Sequence, residues 1–163
     1  MQLENIKNCI TLLTKLHEEL LTISEKKTEA IKSGDMDSLS KLLMQERKQL
    51  QAIEQAEEKR QAIVEDYFIH LNVTPKEKTV SELMTYFDRE QDKEQLEAVV
   101  SKLVNIIVKL REKEQLNNDL IGQSMQFVQL SLDMLQPTAK SINYNEKNER
   151  QQSVKRSVFD SKA

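Results

Sequence analysis

Residues 116–135, LNNDLIGQSMQFVQLSLDML, decide how this chain is read. Wound at about 100° per residue, their apolar side chains cover roughly 220° of a helix circumference. One stripe holds Leu116, Leu120, Phe127, Leu130 and Met134, and a second holds Ile121, Met125, Val128, Leu132 and Leu135. Asn117, Ser124 and Ser131 form the seam between them. So wide an arc exceeds what one neighbour buries, so this helix needs two partners. One can be the rest of the chain; whether the other is too is the functional question.

Working outward from that segment, Leu96, Val100, Leu103, Ile107, Leu110, Ile121, Val128 and Leu135 share a heptad spacing, interrupted by Glu114, Asn117, Ser124 and Ser131. The spacing predicts one long helix, opened by Asp92 with Gln95 and ended at Gln136 by Pro137, roughly 65 Å at 1.5 Å per residue. At the other end of the chain Leu3, Ile6, Ile10, Leu13, Leu16, Leu20, Ile23, Ala30 and Ile31 predict a first helix over 2–33. Gly34 stops it and Asp35 caps the next, whose periodic set is Leu39, Leu42, Leu43, Leu50, Ile53, Val64, Tyr67, Phe68 and Leu71. So short a turn makes these two helices antiparallel neighbours. Two candidate capping boxes follow, Thr74-Pro75-Lys76-Glu77 and Thr79-Val80-Ser81-Glu82, and predict a short helix. Its Leu83, Met84, Tyr86 and Phe87 would close one end of a bundle.

Composition agrees. The 163 residues include two Gly, two Pro and no Trp, with 31% charged, so many short elements are excluded and a few long helices remain. The expected fold is all-α: an elongated antiparallel helical bundle or coiled coil of three long helices plus one short one, over residues 1–136. Residues 137–163 turn to Asn, Glu, Lys, Gln and Ser and are expected to form a flexible basic tail. Six basic residues (Lys140, Lys147, Arg150, Lys155, Arg156, Lys162) oppose three acidic ones (Glu146, Glu149, Asp160) there, a net of +3 in a chain of −3.

That overall charge gives no reason to expect nucleic acid or an anionic membrane as partner. No apolar run suggests a membrane span and the N-terminus lacks the order of a secretory signal, so the expected location is the cytoplasm, which the lone Cys9 suits. There is no Gly-rich phosphate loop and no metal-spaced Cys/His set, so neither an enzyme nor a cofactor is expected. His17 and His70 read as helix-surface residues and Cys9 as a small packed one. Gly122, inside a helix, costs about 1 kcal/mol against Ala and fits either close approach by another element or tolerated drift.

The wide arc has two readings from physics alone. It fits a helix packed between the first two, and it fits a groove wall, because two Met, one Phe and a Ser/Asn seam make an adaptable receiver for an amphipathic helix.

Several segments, taken in order, resemble the FlgN-type flagellar export chaperones: Leu16-His17-Glu18-Glu19-Leu20-Leu21, Gly34-Asp35-Met36-Asp37-Ser38-Leu39, Asn117-Asn118-Asp119-Leu120-Ile121, Gln126-Phe127-Val128, Ser131-Leu132-Asp133-Met134-Leu135 and the terminal Phe159-Asp160-Ser161-Lys162-Ala163. The resemblance implies a chaperone that binds the C-terminal amphipathic helices of the hook-filament junction proteins FlgK and FlgL, blocks their premature assembly and delivers them to the type III export gate. It implies client contact at Asn117, Leu120, Ile121, Ser124, Met125, Phe127, Val128, Ser131, Leu132, Met134 and Leu135, and docking on the gate protein FlhA through Tyr144. A monomer or weak dimer is expected. The competing reading is a self-associating coiled-coil scaffold, which the same heptads support.

Overall fold

The computed structural model describes the backbone of residues 2–160 and side chains over 2–135. It is all-α: α1 (Gln2–Ser33), α2 (Met36–His70), the short α3 (Val80–Met84) and α4 (Glu90–Asp160), with no strand among the described residues. The chain falls into two compact units, Met1–Leu120 and Ile121–Ala163, so α4 belongs to both.

The first turn is built as its residues require. Gly34 adopts φ +68° and ends α1 in a Schellman motif, with the Asp35 N–H on the Ala30 carbonyl (3.0 Å) and the Gly34 N–H on Ile31 (3.2 Å). Asp35 then caps α2, accepting from the Ser38 N–H at 3.0 Å. The far end of α2 repeats the device with Asn72 at φ +54°: its N–H reaches the Ile69 carbonyl (3.0 Å) and the Val73 N–H reaches Phe68 (3.3 Å). Asn is the non-glycine residue best suited to that conformation. Of the two capping boxes, Thr79-Glu82 starts a helix, with the Thr79 hydroxyl accepting from the Glu82 N–H at 3.1 Å, whereas Thr74-Glu77 lies in the non-helical connection.

Cross-contacts within the first unit fix the topology. Along α1, Cys9 meets Ala56, Leu16 meets Gln49 and Lys27 meets Glu46, a descending series that makes α1 and α2 antiparallel. Lys7 bonds Gln95, Ser24 bonds Glu114 and Thr28 bonds Asn117, an ascending series that makes α1 and α4 parallel. The main apolar cluster lies where α1 begins, α2 ends and α4 begins: Ile6, Ile10, Val64, Phe68, Leu83, Phe87 and Leu96. α3 closes it as its sequence implied, since Leu83 and Phe87 are buried and Met84 and Tyr86 pack alongside. Tyr67 stacks at a tilt on Phe87 (5.7 Å) and Phe68 meets Tyr86 edge-on (5.9 Å).

Three expectations change. Leu43 and Leu50 are exposed, because α2 turns Leu42, Glu46, Gln49 and Ala56 towards α1 instead. α4 opens at Glu90, two residues before Asp92. It also continues past Gln136 and through Pro137 to Asp160. A helix-interior proline removes one N–H bond and crowds one carbonyl, about 3 kcal/mol, and the Lys, Glu, Gln and Arg residues that follow are good helix formers. Side chains of the expected tail, Tyr144 among them, lie outside the described residues.

Towards the α1–α2 turn the core line of α1 becomes polar: Ser24, Lys27 and Thr28 are all buried. The Lys27 ammonium bridges Glu46 (2.6 Å) and Glu114 (3.1 Å). Burial alone would depress its pKa, but the hydrogen bonds it donates to Glu46 and Glu114, with their charges, outweigh that and leave it raised. A raised folded-state pKa stabilises below the unfolded value and is lost as pH climbs through the folded one. Lys27→Met should therefore destabilise by about 2 kcal/mol at pH 7, leaving two half-buried carboxylates unpaired. In denaturant titrations that difference should shrink above about pH 10.5; a difference independent of pH would contradict the ion-pair account.

Candidate functional site

The polar layer holds the last fully buried side chain of α4 among the described residues. Asn117, 1% exposed, is the final buried residue of α4 among those described. Its amide donates to the Ser24 carbonyl (3.0 Å) and its Oδ1 accepts from the Thr28 hydroxyl (2.6 Å). Ser24 donates in turn to Glu114, and among the described residues no buried side-chain polar atom lacks a partner. Asn117, expected on the outer seam with Ser124 and Ser131, is thus held inside the first unit by α1. Its heptad position explains this: it occupies the same column as Leu96, Leu103 and Leu110, which faces α1.

From Ile121 to Leu135 the same helix is largely exposed. Phe127 is 70% exposed and Met134 71%, and Ile121, Met125, Val128, Leu130, Leu132 and Leu135 are exposed too. Ser124 is exposed; Leu120 and Ser131 are half-buried, with the Ser131 hydroxyl donating to the Phe127 carbonyl at 2.9 Å. Between Glu114 and Lys140 the charged residues are Asp119 and Asp133 alone, and both lie on the opposite strip of the helix. There Gln115 donates to Asp119 (3.0 Å) and Gln129 to Asp133 (3.1 Å), so the acids are tied to their own helix. The result is a broad apolar face with no charge in it, edged by Gln and Asn. Apolar surface of this extent is the chemistry of a protein-binding face.

Other singled-out residues are structural. Cys9 is buried with its thiol against the Ala56 carbonyl, and burial pushes the thiol pKa up. His17 and His70 each set Nδ1 on the carbonyl four residues back, at 2.7 and 2.9 Å. A Cβ on Gly122 would meet nothing within 4 Å, so close approach by another element does not account for that glycine. Among the described residues no His, Cys, Asp and Glu group could hold a metal, and no helix is long and apolar enough to cross a membrane. Sequence reasoning missed Ser24, Lys27 and Thr28, although Ser24 and Lys27 fall on the heptad continuation of Ile6, Ile10, Leu13 and Leu20.

A family model described as FlgN protein matches residues 1–152. The chain belongs to the FlgN family. That is a family of flagellar chaperones and not of enzymes. This FlgN-family chain is also 35% identical, over 93% of its length and 92% of the relative's, to the uncharacterized protein YvyG of Bacillus subtilis strain 168. No solved structure matches. In this FlgN-family protein the layer at Asn117 and the face beyond it should respond oppositely to substitution. Asn117→Ala should cost about 1–3 kcal/mol in denaturant unfolding, by leaving buried partners unsatisfied. Phe127→Glu should stay within about 0.5 kcal/mol of the parent; a large loss there would make the face part of the intramolecular core.

Proposed function

We propose that this protein is a cytoplasmic flagellar type III export chaperone. It binds the C-terminal amphipathic helices of the hook-associated proteins FlgK and FlgL, prevents their premature assembly and hands them to the export gate FlhA. The observation that carries this reading is the exposed, uncharged apolar face over residues 121–135 in a chain of the FlgN family. An aggregation-prone client helix is recognised through its own apolar stripe, and Met125, Phe127 and Met134 adapt to more than one such stripe. The Ser124 and Ser131 row leaves room for bulky client side chains and sets register against Val128 and Leu135. Leu120, Ile121 and Leu132 extend the contact. Binding is reversible by necessity, since a client that never dissociates cannot be exported.

The chemistry divides along the chain. The apolar face holds the client, and Tyr144, in Ser141-Ile142-Asn143-Tyr144-Asn145, docks on FlhA.

Calorimetric titration with C-terminal segments of FlgK and FlgL tests the first half. Saturable binding near one to one with a negative heat-capacity change is expected, abolished when the client's apolar helix positions carry Glu. Failure of both segments to bind the folded protein, with light scattering showing a stable oligomer, would favour the self-associating scaffold. Tyr144→Ala tests the second half: client affinity should stay within about twofold while filament assembly falls, and loss of client affinity would contradict the division.

A further inference from the structure

The three long helices of the first unit leave grooves between them, and the two that α1 borders are lined by charges of both signs. Along α1 and α2, Lys26 and Lys41 stand with Glu29 and Asp35, and further on Lys48 stands with Glu19. Along α1 and α4, Lys109 and Lys113 stand with Glu25 and Glu112. On α2 this puts Lys41, Gln45 and Lys48 on the α1 flank of the buried line of Leu42 and Ala56, so Leu43, Arg47 and Leu50 lie on the other flank, towards α4. On α4, Lys109, Lys113 and Leu116 take the α1 flank, so Val104, Val108 and Arg111 take the flank towards α2. Lys27 holds both Glu46 and Glu114, which makes residues 46 and 114 level in the bundle. Arg47 and Arg111 therefore sit within about one turn of each other along the α2/α4 groove.

This third groove is apolar with two unmatched cations in it. Leu43, Leu50, Val104 and Val108 are each about half exposed, and both arginines are exposed. Elsewhere in the unit Lys7, Arg60 and Lys93 find Glu4, Glu57 and Glu90 three residues away on their own helices. Arg47 has only Leu43, Met44, Leu50 and Gln51 at such positions. Arg111 has Ile107, Val108, Gln115 and Glu114, and Glu114 is already held by Lys27 and Ser24. Neither guanidinium forms an ion pair among the described residues. A guanidinium fork flanked by apolar side chains is the complement of a carboxylate flanked by apolar side chains. The strip is also short, because it runs out into Glu54 and Glu58 on α2 and Glu97 on α4. An extended anionic surface or a nucleic acid would meet those acids, whereas a short helix would not.

We propose that the α2/α4 groove is a second docking surface, whose occupant is an acidic amphipathic helix of another protein, about two to three turns long. Its apolar residues seat on Leu43, Leu50, Val104 and Val108, and its carboxylates pair with Arg47 and Arg111. The surface lies within the first unit, apart from residues 121–135, and stands whether or not those residues hold a client.

Fluorescence anisotropy on the full chain tests it, with a labelled, designed alanine-based helical peptide that carries Leu on one stripe and Glu beside it at spacings of three and four. Saturable binding is expected, weakened at least about tenfold when Arg47→Glu and Arg111→Glu are combined. That double variant should regain binding when Lys replaces Glu in the peptide. Both arginines are exposed and make no ion pair, so the variant should fold, as circular dichroism and thermal unfolding would verify. Phe127→Glu should leave peptide affinity within about twofold. No saturable binding, binding indifferent to the charge reversal, or loss of binding with Phe127→Glu would each overturn the proposal. So would sedimentation showing a dimer of the parent chain that the double variant dissociates, since the groove would then belong to a second copy.

Discussion

The parallel register between α1 and α4 rests on one buried contact set: Asn117 between Ser24 and Thr28, with Lys27 holding Glu114 and Glu46 beside it. Leu, Ile and Val seams are tolerant of slippage, because any heptad shift still places apolar on apolar. A buried amide and a buried ammonium are not tolerant, since a one-turn slip would strand them without partners at a cost of several kcal/mol. With the register set, Leu96 meets Ile6 and Ile10 at one end, α3 closes that end, and Asn117 becomes the last buried side chain of α4 among the described residues. The polar layer therefore decides where the self-covered part of α4 stops.

That boundary separates two kinds of surface on one helix. Before it, α4 carries the charges of a solvated bundle face, as in Arg111-Glu112-Lys113-Glu114. After it the charges withdraw to Asp119 and Asp133 on the back strip, and the rest of the circumference carries Leu, Met, Phe, Ile and Val with uncharged Ser and Gln among them. An apolar face of this kind is costly to leave in water, at about 25 cal/mol per Å². Under the proposed function, that cost is relieved when a client is held.

Much of the fold was legible because it is written in local signals. Gly34 with Asp35, Thr79 with Glu82, and the three-and-four spacing of Ile6, Ile10 and Leu13 each act within one or two turns of helix. The misses are cases in which a distant partner overrode the local signal. Leu43 and Leu50 look inward by composition, yet Glu46 and Gln49 take that side because Lys27 and the Leu16 carbonyl await them. Asn117 looked like part of an outer seam because Ser124 and Ser131 share its column; only the presence of α1 distinguishes it from them. Pro137 looked like a stop because proline is a strong local breaker, but good helix formers flank it on both sides. The candidate site was legible as chemistry, from its width and lack of charge, while its occupant is not written in this chain at all.

Amide hydrogen exchange along α4, measured with and without FlgK or FlgL, addresses the boundary most directly. Without client, residues 96–117 should be protected to the level of global unfolding and residues 121–135 should exchange much faster; client should slow the second segment and leave the first unchanged. Equal protection of the two segments in the protein alone would contradict the account, because the apolar face would then be covered by the chain itself.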